Sequence, residues 1–338
     1  MAYLKKLCAL EGVSGREDAV RAFILQTLDA LPTEKTVRCD ALGNVLVDLV
    51  GRQRANQKLL FAAHMDEVGF IITGADENGF LRFATVGGVD AAVYYGRRIR
   101  VNGHTGVIGG KAKHLCTKDE LSKLPESAAL RIDVGASTRE EAEKLAHPGD
   151  VAVFDSGFYR MEGGLVKGRA IDDRAGCALL LALAEQTPAY DMTLAFTVQE
   201  EIGLRGAKTA AFGIQPDIAV VVDATTAADT AGVAADKQVC RVGGGAVISF
   251  MDKRTLYDAG LYRRILALAD KKSLRVQSKS MVAGGNDAGA IHLAGRGARV
   301  AAVSLPCRYI HSPSCVLSRR DMEDTLALLR LLAEDFAA

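Results

Sequence analysis

Hydrophobic and polar positions alternate along this chain in two textures. In the first, uninterrupted apolar runs at Val45 to Val50, Leu59 to Ala63, Thr193 to Val198, Ile218 to Val222 and Arg299 to Leu305 predict strands buried on both faces of a sheet. Between them apolar residues recur at helical spacing. Val20, Phe23, Ile24, Leu28 and Leu31 mark an amphipathic helix over Asp18 to Leu31, with Ser14-Gly15-Arg16-Glu17 before it and Pro32 as its stop. Arg174 to Gln186, Leu261 to Lys272 and Asp321 to Phe336 are predicted as further helices, and strands interleaved with helices point to an α/β fold.

The second texture runs from residue 68 to residue 159. Short β-type runs (Phe70 to Thr73, Phe80 to Ala84, Arg97 to Val101, Gly106 to Ile108, Leu130 to Val134 and Val151 to Phe154) are separated by Gly-rich turns. The chain is therefore divided into a discontinuous α/β domain, residues 1–67 and 160–338, and a small inserted β domain, residues 68–159. Its length of 338 residues exceeds the roughly 250 to 300 residues that one core usually serves, which agrees with this division.

Composition narrows the function classes. Lys and Arg number 42 and Asp and Glu 41, with no basic tract, so nothing draws in a nucleic acid. No uncharged apolar stretch approaches the ~18 residues of a membrane span. The N-terminus lacks the apolar core and cleavage site of a secretory leader, and the expected location is the cytoplasm. The seven cysteines are odd in number and never in C-x-x-C spacing, so no disulfide framework is implied.

The candidate chemistry lies where the apolar runs end. Leu59 to Ala63 leads into His64-Met65-Asp66, Thr193 to Val198 into Glu200-Glu201, Ile218 to Val222 into Asp223, and Arg299 to Leu305 through a short loop to His311. Carboxyl ends of strands in an α/β sheet are where ligands collect. Asp66, two residues beyond His64, shares its face and is placed to take the second imidazole N–H, fixing which nitrogen meets a metal. Either aspartate of Asp172-Asp173 would serve as a helix cap, yet a carboxylate there also has two oxygens to share between two cations. Adjacent Glu200 and Glu201 repel unless positive charge lies between them, and one can ligate a metal while the other takes a proton from an activated water. With Asp172, Glu201 and Asp223 as ligands and Glu200 as base, two divalent cations cancel four negative charges. A bridging Asp172 then gives each ion three protein ligands, His64 and Asp223 completing one set and Glu201 and His311 the other, with the ions ~3.5 to 4 Å apart and a shared hydroxide as nucleophile.

The residues resemble a known family, the co-catalytic metallo-aminopeptidases that include glutamyl aminopeptidase, deblocking aminopeptidase and the tetrahedral TET peptidases. The similar strings occur in order: Gly12-Val13-Ser14-Gly15, Asp40-Ala41-Leu42-Gly43-Asn44, His64-Met65-Asp66-Glu67-Val68-Gly69, Ala170-Ile171-Asp172-Asp173-Arg174, Gln199-Glu200-Glu201-Ile202-Gly203-Leu204-Arg205-Gly206-Ala207, Gly284-Gly285-Asn286-Asp287-Ala288 and Arg308-Tyr309-Ile310-His311-Ser312. Asn286 stands where the family often has threonine. The resemblance implies a zinc-exopeptidase-like mixed sheet flanked by helices, with a barrel-like insertion that serves dimerisation. It implies His64, Asp172 and Asp223 around one metal, Asp172, Glu201 and His311 around the other, Glu200 as general base and Asp66 behind His64. It also implies peptide substrates with a free N-terminus and a dimer-based dodecamer. Zinc or cobalt suits imidazole and carboxylate ligands, with manganese a third option. The preferred N-terminal residue is left open.

Two other readings compete. A glycosidase, the endoglucanase alternative, needs carboxylates flanking a bond at ~5 to 9.5 Å and has no use for His64 or His311. An inactive oligomeric scaffold would have lost a ligand or the base, and none is missing. Cys307 and Cys315 flank His311 but lack the second cysteine pair of a thiolate site. Gly103 to Lys111 is Gly-rich without phosphate-loop spacing.

Overall fold

The computed structural model describes residues 1–337. Its main sheet has eleven strands, and four of the apolar runs form the centre. Met192–Thr197, Leu59–His64, Ile218–Thr226 and Arg299–Arg308 lie side by side and parallel. Val45–Leu49 and Lys35–Cys39 extend one edge antiparallel. Cys315–Ser318, Leu165–Gly168 and Tyr159–Arg160 extend the other.

Every residue of Leu59–His64 is buried, as a sheet with helices on both faces requires. One face is covered by Ala2–Leu7, Asp18–Asp29, Ile171–Ala184, Ala259–Lys271 and Arg319–Asp335, the other by Arg205–Ile214 and Ala288–Ile291. Ile171–Ala184 packs directly on Leu59–His64 and Ile218–Thr226. It is apolar nearly all round rather than striped, the mark of a helix enclosed by the core. Arg205–Ile214, absent from the sequence expectation, buries only small residues such as Gly206, Ala207, Ala210 and Ala211 before Ile214, so no stripe of large side chains announces it.

Two strands run further than their apolar residues do. Ile218–Thr226 continues past Asp223, and Arg299–Arg308 past Leu305. Their parallel register holds from Ile218 opposite Arg299 to Thr226 opposite Cys307. A backbone ladder tolerates polar side chains where the sheet opens into a crevice, and Asp223 consequently sits inside a strand, not after one.

The inserted region contains a closed barrel of antiparallel strands, Gly69–Ala75, Leu81–Val86, Arg131–Asp133, His104–Gly109, Arg98–Val101 and Val151–Phe154, the last pairing back to the first. Closure removes the sheet edges that would otherwise invite pairing. Its core centres on Phe70, whose ring meets Phe83, Tyr94 and Phe154 edge-to-face at 5.4 Å each, the geometry aromatic quadrupoles favour. Among the described residues no helix is long and apolar enough to cross a membrane, and all seven cysteines are free.

Candidate metal centre

The carboxyl ends of the parallel strands bring together every predicted ligand. His64 ends the Leu59–His64 strand, Asp223 lies within its parallel neighbour, and Asp172 precedes the regular turns of the helix packed beneath both. Glu200 and Glu201 occupy the turn after Met192–Thr197, and His311 the turn between Arg299–Arg308 and Cys315–Ser318. His64, Asp172, Glu200, Glu201, Asp223 and His311 all line one cavity.

Asp172 is the hinge of the arrangement. Its Oδ1 lies 3.3 Å from His64 Nε2 and its Oδ2 3.5 Å from His311 Nε2. Asp223 Oδ1 is 3.7 Å from His64 Nε2, and Glu201 Oε1 is 3.2 Å from His311 Nε2. Both imidazoles turn their other nitrogen to a carbonyl oxygen: His64 Nδ1 is 3.1 Å from the Asp66 carbonyl, and His311 Nδ1 is 2.8 Å from that of Gly88. A carbonyl only accepts, so Nδ1 carries the proton in each ring and Nε2 is the nitrogen aimed at the carboxylates. Charge-assisted hydrogen bonds would close to about 2.7 to 2.9 Å. The observed 3.2 to 3.7 Å spacings instead match the edges of a tetrahedral shell, about 3.3 Å for ligands ~2.0 to 2.1 Å from a zinc-sized cation. The donor set fits a divalent metal.

The surroundings hold these groups in place. The Asp66 carboxylate accepts from the Ser14 hydroxyl at 2.6 Å and from the Glu200 and Glu201 amides at 3.0 and 3.1 Å. It thus anchors the glutamate turn as well as standing 3.4 Å behind His64 Nδ1. That turn carries Gln199 and Leu204 in left-handed conformations at φ 56° and 58°, which costs of order 1 to 3 kcal/mol each. Glu17 steadies it by accepting from the Gln199 amide at 3.1 Å, and Asn44 by accepting from Val198 N at 2.9 Å. Asp173 separates from Asp172 in role: its carboxylate accepts from His64 N and Gly176 N, tying the helix start to the strand end. A side chain at Gly176 would collide with that carboxylate. Behind the site, fully buried Arg174 donates to the Met65 carbonyl at 2.7 Å and to Glu67 at 3.2 Å, and Glu67 also pairs with Arg169.

The electrostatics describe a site short of positive charge. Burial, and then the neighbouring carboxylates, push Asp223 and Glu200 well above the ordinary carboxylate range, and Glu201 is raised as well. Burial alone would lower His64, but its contacts with Asp172 and Asp66 override that and raise it far above the usual imidazole value. Added cations are what would let such a cluster ionise.

Residues 43–328 match the pattern of the M42 glutamyl aminopeptidases. The chain belongs to this M42 family. A provisionally named aminopeptidase of Acetivibrio thermocellus is 38% identical over 96% of this chain and 96% of its own. Among solved structures, aminopeptidase APDkam598 from Desulfurococcus kamchatkensis superposes with a TM-score of 0.92 at 35% identity, covering 98% of this chain and 93% of that one. The TET1 peptidase of Pyrococcus horikoshii, which can assemble into a tetrahedron or a large octahedral shell, gives a TM-score of 0.86 at 34% identity over 98% of both chains. As an M42 protein this chain is a metal-dependent aminopeptidase, a peptide hydrolase, and the mixed sheet with its inserted barrel is the fold of its TET relatives.

Sequence reasoning left three features around the cluster unassigned. Gly88, which lies between the barrel strand Leu81–Val86 and the next helix, receives His311; no spacing rule links two residues so far apart. Asp287 is buried, accepts from the Thr197 hydroxyl at 2.6 Å and is pushed up to about 6, mainly by burial. It was visible only as part of a motif string. Cys307 and Cys315 are buried, and Cys315 Sγ faces the Tyr309 and Ser312 carbonyls at 3.5 Å, so Cys315 braces the His311 turn.

Proposed function

We propose that two divalent ions occupy this site, one held by His64, Asp172 and Asp223, the other by Asp172, Glu201 and His311. The placement of Asp172, one oxygen toward each imidazole Nε2, is the observation that carries this reading. Zinc or cobalt suits the donors, manganese less closely. When bound, such ions polarise a scissile carbonyl and acidify a water for attack.

The chain's own residues supply the rest. Glu200 lines the cavity, and among the described residues its carboxylate has no hydrogen-bond partner, so it is free to take the proton released at attack and return it to the leaving nitrogen. Asp66 is a positioning residue, holding the backbone of Glu200 and Glu201 and backing the His64 ring. Acidic groups around the cavity attract the free amino terminus of a peptide, which selects terminal over internal peptide bonds.

Residues 68–159 form the inserted module in this reading, and residues 1–67 with 160–338 the catalytic domain. The barrel region leaves Leu115, Leu121 and Leu124 exposed, in keeping with a role in dimerisation and, by likeness to the TET1 peptidase, a dodecameric homo-oligomer. A glycosidase is disfavoured because the carboxylates converge with two imidazoles on shared points rather than flanking a bond.

Glu200→Gln tests the roles: turnover should fall by about 10³-fold or more, while metal content measured by plasma emission stays at two ions per subunit. Near-normal peptide hydrolysis by this variant would remove Glu200 from the proposal.

A further inference from the structure

Three elements meet at one hydroxyl beside the metal ligands. Thr197 is the last residue of the strand that leads to Glu200 and Glu201, and it stands in register with His64, the last residue of the neighbouring strand. Its Oγ1 lies 3.2 Å from the Ala63 carbonyl oxygen and 2.6 Å from Asp287 Oδ2. Asp287 immediately precedes the helix Ala288–Ile291, which packs on the same sheet.

A hydroxyl has one hydrogen to give. If Thr197 donates it to Asp287, the contact with the Ala63 carbonyl is lost and a carboxylate is left buried without a cation. If Thr197 donates it to Ala63, both contacts hold, but Asp287 must then bring a second hydrogen, as a carboxylic acid. The surroundings favour the acid. Asp287 is 2% exposed, its side chain does not cap its own helix, and its Oδ1 is buried with no hydrogen-bond partner. A neutral carbonyl oxygen tolerates that far better than half of an anion does. The charged groups that bear on Asp287 are His64 and Asp66 at the neighbouring strand end and Glu200 on the turn. The elements packed against its helix add exposed Arg205 and Lys208, Asp223, and Arg299 and Arg308, the last two paired with Asp258 and Asp229. Among the described residues none of these forms an ion pair with Asp287. Burial raises its carboxyl above the ordinary range, in the same direction.

Resting on the aminopeptidase reading with Glu200 as base, we propose that Asp287 is a positioning residue of the reaction and works in its protonated form. Its O–H donates to Thr197 Oγ1, the Thr197 O–H donates to the Ala63 carbonyl, and this relay fixes the His64 strand end against the glutamate turn. Asp287 touches no reacting atom and gives up no proton during turnover. Its ionisation would turn the Thr197 hydroxyl toward the carboxylate and release Ala63, the residue before His64.

The test compares Asp287→Asn, Asp287→Ala and Thr197→Val in metal-loaded full-length protein, using the p-nitroanilides of Leu, Lys and Glu. The Asn amide donates where the acid does and cannot ionise. Asp287→Asn should keep kcat within about three-fold of wild type and abolish the fall in kcat that wild type shows as pH rises through the Asp287 ionisation. Asp287→Ala and Thr197→Val should each lower kcat by about 10- to 100-fold, with KM little changed and bound metal unchanged. Infrared difference spectra of wild type against Asp287→Asn need no substrate, and they should show one buried protonated carboxyl that disappears over the same pH range. A loss in Asp287→Asn as large as in Asp287→Ala, a pH profile that Asp287→Asn leaves unmoved, or a missing carboxyl band overturns the proposal. If Asp287→Ala does not fold, Asp287→Asn and Thr197→Val still decide it. Failure to hydrolyse any of the three substrates with zinc, cobalt or manganese would instead defeat the aminopeptidase reading, leaving the infrared band to decide the state of Asp287.

Discussion

The two halves of the metal centre are built differently. On one side His64 and Asp223 belong to adjacent parallel strands, with the Asp172 helix packed beneath them. On the other, Glu201 and His311 stand on turns, one containing left-handed Gln199 and Leu204 and the other left-handed Tyr309 and His311. His64 leaves 4% of its side chain exposed and His311 31%. The sheet half is fixed by a backbone ladder, whereas the turn half depends on individual props: the Asp66 carboxylate under the Glu201 amide, the Cys315 thiol beneath the His311 turn, and the Gly88 carbonyl from the barrel region against His311. Local stability generally follows such differences, so the His64–Asp223 side of the cluster is an outgrowth of the fold and the Glu201–His311 side a graft upon it.

Asp172 joins the halves, and removing its charge gives the largest expected effect. Asp172→Asn should lower kcat/KM on the order of 10⁴-fold and reduce bound metal in both positions, read by plasma emission on the desalted protein. If one ion is lost and the other binds as before, Asp172 does not bridge, and the halves are independent sites.

Metal removal sharpens the comparison at smaller scale. Titration with a chelator should release two ions in separable steps, the His311 side first, with affinities differing by about 10- to 100-fold, the range over which supporting contacts tune a site. In His311→Ala only the later step should remain. Release of both ions in a single step would show that the turns hold as firmly as the strands.

The same asymmetry governs what was legible beforehand. His64 and Asp223, the strand-borne residues of the sheet half, could each be read from an uninterrupted apolar run and the residue that follows it, because burial on both faces leaves a plain signal. The barrel was legible as short runs between Gly-rich turns, and the observed strands begin and end within a few residues of those runs. What stayed hidden was contact between distant segments. Gly88 against His311, Asp66 under the Glu200–Glu201 amides and Glu17 on Gln199 depend on how loops meet in space, and loop backbone follows from neighbours rather than from period. Arg205–Ile214 was missed because Gly and Ala bury against the sheet without a stripe. Asp223 was placed one strand-end too early, since pairing with Ser304 and beyond continues the ladder through polar residues. Asp172 and Asp173 could not be told apart by type. Only the Gly176 and His64 amides assign Asp173 to the cap.

The finest test lies where the barrel region touches the turn half. Gly87 adopts φ +77°, and a Cβ there would meet Val68 Cγ1 at 2.8 Å and Glu201 Cβ at 3.3 Å. Gly87→Ala therefore strains the backbone by about 1 kcal/mol and pushes on the chain that carries Glu201, without approaching His64 or Asp223. Thermal unfolding should show that modest loss. Chelator titration should show the first ion leaving a few-fold more readily and the second unchanged. Gly88→Ala is the control: its Cβ would lie 3.5 Å from His311 Nδ1, ordinary contact distance, so the Nδ1 hydrogen bond survives and neither step moves. An equal effect of Gly87→Ala on both ions would mean that strain in the barrel region is transmitted through Asp172 to the sheet half, and the two halves would have to be treated as one mechanical unit.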